Sequence, residues 1–251
     1  MTAGFIAVIP ARYASTRLPG KPLKEIAGKP MIEWVYRQTA ESGASAVIVA
    51  TDDERIAAAC RGFGAPVELT SAEHASGTDR IAELARRFQW PDDQIVVNVQ
   101  GDEPLISPLS IAQTARLLGW RPQAAIATLT APLTSEREFR DPNFVKVVTD
   151  HEGWALYFSR APIPYPRDGG LPMVRRHIGL YAYRAASLRA ISAAPPCALE
   201  ETEKLEQLRA LWLGMRIIVE DAVEPPSPHV DTEEDLIKIQ RYFERDVVRG
   251  S

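Results

Sequence analysis

The sequence predicts an α/β fold, a doubly wound, mostly parallel sheet flanked by helices. Short apolar runs alternate with helical periodicity through the first half, as successive βαβ units require. The first run, FIAVIPA, is followed at once by the polar, cationic loop ARYASTRLPGK. The most apolar run, QIVVNVQGDEP, closes on an acidic pair at the strand end, where such a sheet binds its ligands.

Taken in order, FIAVIPA reads as a buried strand, and Ile32, Val35, Tyr36 and Thr39 then recur at helical spacing, with Gly43 as a left-handed stop. AVIVATDD is the second strand, leading into a helix around Glu54 to Arg61, and PVELT is a short third strand. After the polar stretch HASGTD, a helical stripe is expected on Ile81, Leu84, Ala85 and Phe88. QIVVNVQGDEP, a helix near Ser110 to Leu118 and the strand AAIATLT complete the core pattern. In the second half FVKVVTD and WALYFSR flank HEG as a hairpin, and APIPYPRDGGLP is an irregular loop or lid. HIGLYAYR returns as a strand, and one helix is expected to carry Leu205, Leu208 and Trp212. RIIVEDA is a further strand, and DTEEDLIKIQRYF is a helix capped by Asp231 or Thr232.

The 251 residues are enough for one sizeable core, with or without an insertion. A net charge of −4 gives no general attraction to nucleic acid or to anionic membranes, so neither is expected as a partner. No stretch approaches the roughly 18 apolar residues of a membrane span, and MTAGFIAVIPAR lacks the basic start of a secretion signal, so a cytoplasmic location is expected. Cys60 and Cys197, without CxxC spacing, read as buried reduced thiols.

The first loop matches neither GxxxxGK[ST] nor GxGxxG. Its Arg12 and Lys21 suit two different phosphates of a polyphosphate, with backbone N–H groups and Ser15 completing the cradle. The other reading of the spacing is a solvated loop of surface ion pairs. Asp102, just past the buried strand, faces the same crevice and suits a divalent cation shared with substrate phosphates; its alternative is a turn-capping Asp. For Asp231 in PHVDTEEDL, the residues by themselves say no more than a helix N-cap.

VIPARYASTRLPGKPL, IVATDD, SGTDR, VNVQGDEP, VKVV, ALYFSRAPIPY, RHIGLYAYR, LEQLRALW and VDTEEDL, in order from residue 8 to residue 236, resemble the 3-deoxy-manno-octulosonate (Kdo) cytidylyltransferases, the CMP-Kdo synthetase family. The opening motif marks the nucleotidyltransferase superfamily; YFSRAPIPY, RHIGLYAYR and LEQLRALW narrow it to this member. The resemblance implies a Rossmann-like nucleotidyltransferase fold that transfers CMP from CTP to the anomeric hydroxyl of Kdo, releasing pyrophosphate, for lipopolysaccharide biosynthesis. It implies Ala11, Arg12, Ser15 and Lys21 at the triphosphate, and Asp52, Ser76, Gly77, Arg80 and Gln100 around the cytidine. Asp102 and Asp231 would hold Mg²⁺, and Arg12 and Lys21 would join them in catalysis. Arg160, His177, Tyr181, Glu206 and Gln207 would face the sugar acid. For His177, Tyr181 and Glu206 the residues themselves also fit a hydrogen-bonded strand histidine, a core tyrosine and a solvated helix face.

The same resemblance divides the chain into a nucleotide-binding core over 1–134, a β-rich sugar-side region with a homodimer contact over 135–190, and a C-terminal part over 191–251 that completes the core and metal site. The chain departs from the family pattern at His229-Val230 ahead of VDT, where a small residue is usual, and in the short PYPRDGGLPMV. A sialic acid cytidylyltransferase, a metal-dependent glycosyltransferase and a non-catalytic nucleotide-binding regulator are the competing readings; the Kdo-type motifs, Lys21 and the full charge set speak against them in turn.

Overall fold

The computed structural model describes residues 4–14 and 17–249, with side chains described to residue 244. Strand β1 (Ile6–Ala11) is followed by the cationic loop, a 3₁₀ turn over Lys21–Leu23 and a small ribbon of β2 (Glu25–Ile26) and β3 (Lys29–Pro30). Then come α1 (Met31–Ala40), β4 (Ala46–Thr51), α2 (Glu54–Gly62), β5 (Val67–Leu69), α3 (Gly77–Arg87), β6 (Ile95–Asn98), α4 (Pro108–Trp120) and β7 (Ile126–Pro132). The second half holds α5 (Glu136–Arg140), β8 (Lys146–Thr149), β9 (Ala155–Ser159), β10 (Arg175–Arg184), α6 (Ala185–Ala193), α7 (Ala198–Glu203), α8 (Gln207–Trp212), β11 (Ile217–Asp221) and α9 (Glu233–Arg249).

The central sheet runs β11-β7-β10-β6-β1-β4-β5, with the β8–β9 hairpin attached through β10. β1 pairs in parallel with β4 and β6, β4 with β5, and β7 with β11; β10 is antiparallel to both of its neighbours. The two-residue period of the strands splits the core. Ala7, Ile9 and Ala11 of β1 face the layer of α1, α2 and α4, with Ile32, Val35, Ile56, Cys60, Ile111 and Leu118. Val8 faces the opposite layer of α3, α6 and α8, with Ile81, Leu84, Leu188 and Leu208. Both layers are filled, so the sheet is doubly wound as expected.

Three expectations change. β10, expected within a β-rich insertion, threads the middle of the core sheet because Ile178, Leu180 and Ala182 are buried with the α1 layer, so the 135–190 segment is continuous with the core. The helix expected to carry Leu205, Leu208 and Trp212 is the short α8, separated from α7 by Lys204 in the left-handed region (φ 54°); it holds Leu208 and Trp212 but not Leu205, and Trp212 is exposed. Phe88 closes no stripe: it lies at the surface, stacked on Trp90. Cys60 and Cys197 are free and buried. No helix among the described residues is long and apolar enough to cross a membrane.

A third, smaller cluster sets the geometry of one edge. Leu18 from the cationic loop, Ile26 and Met31 pack with Val230, Leu236 and Ile239, fastening the start of α9 beside the end of β1. Close backbone approach tightens the same edge. A Cβ on Gly101 would meet the Pro10 carbonyl oxygen at 2.9 Å, so Gly101→Ala should lower the urea midpoint by the equivalent of about 1–3 kcal/mol. Gly119→Ala, whose Cβ meets only Ile95 at 3.6 Å, should be neutral or stabilising by up to about 1 kcal/mol in the same titration.

Candidate functional site

The carboxyl ends of β1 and β6 open onto a 420 Å³ cavity lined by Ala11, Arg12, Arg17, Lys21, Gly77, Gln100, Gly101, Asp102 and Asp231, among others. The loop after β1 reaches it because Gly20 adopts a left-handed turn (φ 66°) and its N–H donates to the Tyr13 carbonyl at 3.1 Å, closing the loop on itself. A side chain at Gly20 would also press on the Tyr13 ring, over which the Arg55 guanidinium stands 3.3 Å from the centroid. Ser15, expected in the cradle, lies outside the described residues.

Lys21 is the meeting point. Its Nζ donates to Asp102 Oδ2 at 2.7 Å and to Asp231 Oδ1 at 3.2 Å, and Arg17 adds an ion pair to the same Asp231 oxygen at 3.2 Å. Asp231 is available for this because Thr232, not Asp231, caps α9. The Thr232 hydroxyl accepts from Asp235 N at 3.2 Å while the Asp235 carboxylate accepts from Thr232 N at 3.1 Å, a reciprocal box.

Behind these groups lie residues that motif reading passed over. His229 Nδ1 is 3.3 Å from Glu103 Oε1 and 3.8 Å from Asp102 Oδ1, and the Ser227 hydroxyl donates to Glu103 Oε2 at 2.5 Å. Burial raises the Asp102 carboxyl, but the neighbouring His229 and the Lys21 charge outweigh it and bring its pKa down to about 2. Burial also works against a charged His229, yet the nearby carboxylates of Asp102, Glu103 and Asp231 lift it to about 9. Glu103, 2% exposed, is raised by its burial. The His229 signal was present in the sequence as the departure ahead of VDT; Ser227 carried none.

Asp52 and Arg80 are not among the groups lining this cavity. The fully buried Arg80 pairs with Asp52 at 3.0 Å and donates to Thr70 Oγ1 and to the Ser71 carbonyl, tying α3 to the end of β4. Ser76 caps α3, accepting from Asp79 N at 3.1 Å, and Gly77 packs so closely on Pro10 that a Cβ would stand 3.1 Å from its ring. Gly77, the first residue of α3, lines the cavity, so the positive end of this helix lies beside it, a favourable place for anionic oxygens.

Of the residues expected at the sugar, His177 and Tyr181 lie on β10, and none of the five is among the groups lining this cavity. A bulge in β10 between Ile178 and Tyr181 lets the Gly179 carbonyl accept from Gln100 Nε2 at 3.1 Å. The rings of His177 and Tyr181 flank it, 5.1 Å apart. His177 Nε2 meets the Thr128 hydroxyl at 2.9 Å, and burial drives its pKa down to about 3, so it is neutral. The break at Lys204 turns Glu206 inward, where its two oxygens accept from Ser76 at 2.7 Å and Thr78 at 2.6 Å. Burial raises its pKa. Gln207 is buried, and its Nε2 meets no hydrogen-bond partner among the described residues. Arg160 is held by Nε on the Glu203 carbonyl at 2.7 Å and by one terminal nitrogen on the Pro142 carbonyl at 3.0 Å. The fully buried Lys146 supports the Arg160 carbonyl at 2.7 Å.

The cytidylyltransferase family profile matches residues 6–217. The chain is 54% identical to the 3-deoxy-manno-octulosonate cytidylyltransferase of Pseudomonas fluorescens over 97% of its own length and all of the relative's. It is 53% identical to the protein of the same name from Pseudomonas syringae pv. syringae, with the same coverage. A solved structure of CMP:2-keto-3-deoxy-manno-octonic acid synthetase complexed with CTP superimposes with TM-score 0.90 at 41% identity, covering 97% of this chain and all of that one. The 4-diphosphocytidyl-2C-methyl-D-erythritol synthase of Anaerococcus prevotii, at 13% identity and TM-score 0.64 over 96% of this chain and 99% of that one, shares the fold.

The pairing of His229 has a pH signature. Its folded pKa lies above the ordinary 6.5, so the stability it contributes is whole below that value and is lost as pH rises through about 9. Half of its side chain faces water, and screening trims the effect. The stability gap between wild type and His229→Ala, read from denaturant midpoints, should therefore be larger at pH about 6 than at about 10. A gap that widens with pH would contradict this pairing.

Proposed function

The chain belongs to the 3-deoxy-manno-octulosonate cytidylyltransferase family, and on that premise we propose that it transfers CMP from CTP to the anomeric C2 hydroxyl of Kdo. The hydroxyl oxygen forms a bond to the α-phosphorus of CTP as the bond from that phosphorus to the bridging oxygen breaks, and pyrophosphate leaves. Such a displacement needs positioning and charge neutralisation more than covalent help from the protein. The observation that carries this reading is the convergence of Lys21, Arg12, Arg17, Asp102 and Asp231 on one cavity beside the N-terminus of α3.

On this reading Lys21, Arg12 and Arg17 neutralise phosphate oxygens, and the first N–H groups of α3 receive another. Ser76, Gly77 and Gln100 border the nucleotide, while Asp52 and Arg80 brace that wall from behind. Asp102 and Asp231 are hard oxygen donors that already share one cationic partner, the donor set that suits Mg²⁺. When bound there, Mg²⁺ supplies Lewis-acid neutralisation of the triphosphate. The low pKa of Asp102 keeps it ionised for that purpose at neutral pH.

On the sugar side, Arg160 offers a fixed cation to the carboxylate of the sugar acid, a group that a neutral sugar lacks. The unpartnered amide of Gln207, the carboxylate of Glu206 and the neutral rings of His177 and Tyr181 suit hydroxyl groups. The bonds from Ser76 and Thr78 to Glu206 join the sugar wall to the nucleotide wall, so the two substrates would be held side by side.

Two free, buried thiols agree with a cytoplasmic enzyme, and its product would serve as the activated sugar for lipopolysaccharide biosynthesis. Leu156, Tyr165 (82% exposed) and Met173 (99% exposed) are large apolar side chains at the surface of the 135–190 region; they support a homodimer formed there.

Pyrophosphate release from CTP and Mg²⁺ tests the reaction. It should appear with Kdo and be absent with N-acetylneuraminate or without sugar; release with N-acetylneuraminate alone would overturn the substrate assignment. Asp102→Asn should cut turnover by about a hundredfold or more while the melting curve stays cooperative.

A further inference from the structure

The segment from residue 222 to residue 230 links β11 to the site, and it contains no helix or strand. Pro225, Pro226 and Pro228 leave it few N–H groups with which to hold itself in place. At its start, Ala222 N donates to the Thr130 carbonyl at 2.8 Å and Val223 N to Gln113 Oε1 at 3.0 Å. At its end, Val230 N donates to the Asp102 carbonyl at 3.0 Å, one residue before Asp231. Between these ends, the strap is fastened by the side chain of Glu103: Ser227 donates to one carboxylate oxygen at 2.5 Å, and His229 stands 3.3 Å from the other. Glu103 itself follows Asp102 directly in the chain and is closed off from water. One buried carboxylate thus grips the strap from the very turn that carries the first metal-type carboxylate, and the strap delivers the second.

We propose that Glu103 is a positioning residue for the carboxylate pair: by clasping Ser227 and His229 it keeps Asp231 opposite Asp102. The inference rests on the reading that this pair binds the metal nucleotide, and it assigns Glu103 no contact with substrate. The two aspartates come from turns 129 residues apart (231 − 102), so their separation is set by whatever ties those turns together. Partners of this kind, one step behind a metal ligand, typically change metal affinity by about 10–100-fold when removed.

The test measures Mn²⁺ binding in the presence of CTP, by electron paramagnetic resonance of the free ion, for wild type, Glu103→Ala, Ser227→Ala, Asp231→Asn and the double variant Glu103→Ala/Asp231→Asn. Glu103→Ala should weaken Mn²⁺ binding by about tenfold and Ser227→Ala by less. The double variant should bind no more weakly than Asp231→Asn alone, because the clasp works through Asp231. If Glu103→Ala weakens binding as much in the Asp231→Asn background as in wild type, the residue acts elsewhere and the proposal is overturned. Wild-type affinity in both clasp variants overturns it equally. Should Glu103→Ala fail to fold, Ser227→Ala alone and combined with Asp231→Asn carries the same comparison. Wild-type affinity in Asp231→Asn would be a different failure, since it removes the metal reading beneath the clasp while leaving the clasp intact.

Discussion

The site depends on one ammonium group held between two carboxylates. Asp102 and Asp231 face the same cavity, and two carboxylates converging in a partly buried place repel each other unless a cation intervenes. Lys21 supplies it, from 81 residues upstream of one partner and 210 upstream of the other. The contact also explains how a protein with a net charge of −4 prepares for a polyanion: cations are concentrated on one loop, and the aspartates hold two of them, Lys21 and Arg17, at the cavity.

Apolar packing makes that electrostatic arrangement affordable in entropy. Leu18 and Val230, each close in sequence to a charged member of the site, are buried together with Met31, Ile26, Leu236 and Ile239. Burial of these side chains fixes two loops that hydrogen bonding leaves under-determined, one turned by Gly20 and the other rich in proline. The charged groups then meet without long side chains having to search for each other. The side chains proposed for the sugar are held by polar contacts instead: the Glu203 carbonyl fixes Arg160, and the Ser76 and Thr78 hydroxyls fix Glu206.

Much of this was legible in the residues, for physical reasons. The unbroken apolar run Ile6-Ala7-Val8-Ile9 marks a strand covered on both faces, and the polar loop that follows has to lie at the ligand edge of a parallel sheet. Position alone left Lys21 and Asp102 two readings each, and the structure brings the two side chains together at 2.7 Å. Asp231 did not, since an aspartate before a helix is an ordinary cap; the structure hands that task to Thr232 and Asp235. The late start of α8 was hidden because Leu205, which precedes the helix, keeps helical spacing with Leu208 within it, and spacing does not show that Trp212 is exposed. The interposition of β10 between β6 and β7 was hidden for another reason: strand order is set by which edges pair, and pairing leaves no mark on the local pattern.

The sequence by itself determined the doubly wound sheet, because hydrophobic periodicity acts over a few neighbouring residues, and the order of its motifs carried the resemblance to the family. Only the tertiary structure decided that Asp231 is released from capping, that Arg80 and Asp52 are spent on each other, and that Glu103, Ser227 and His229 form a clasp. Each of these is a choice of partner between groups far apart in the chain, and a polar side chain acquires its role only when folding removes water and leaves it one neighbour rather than many.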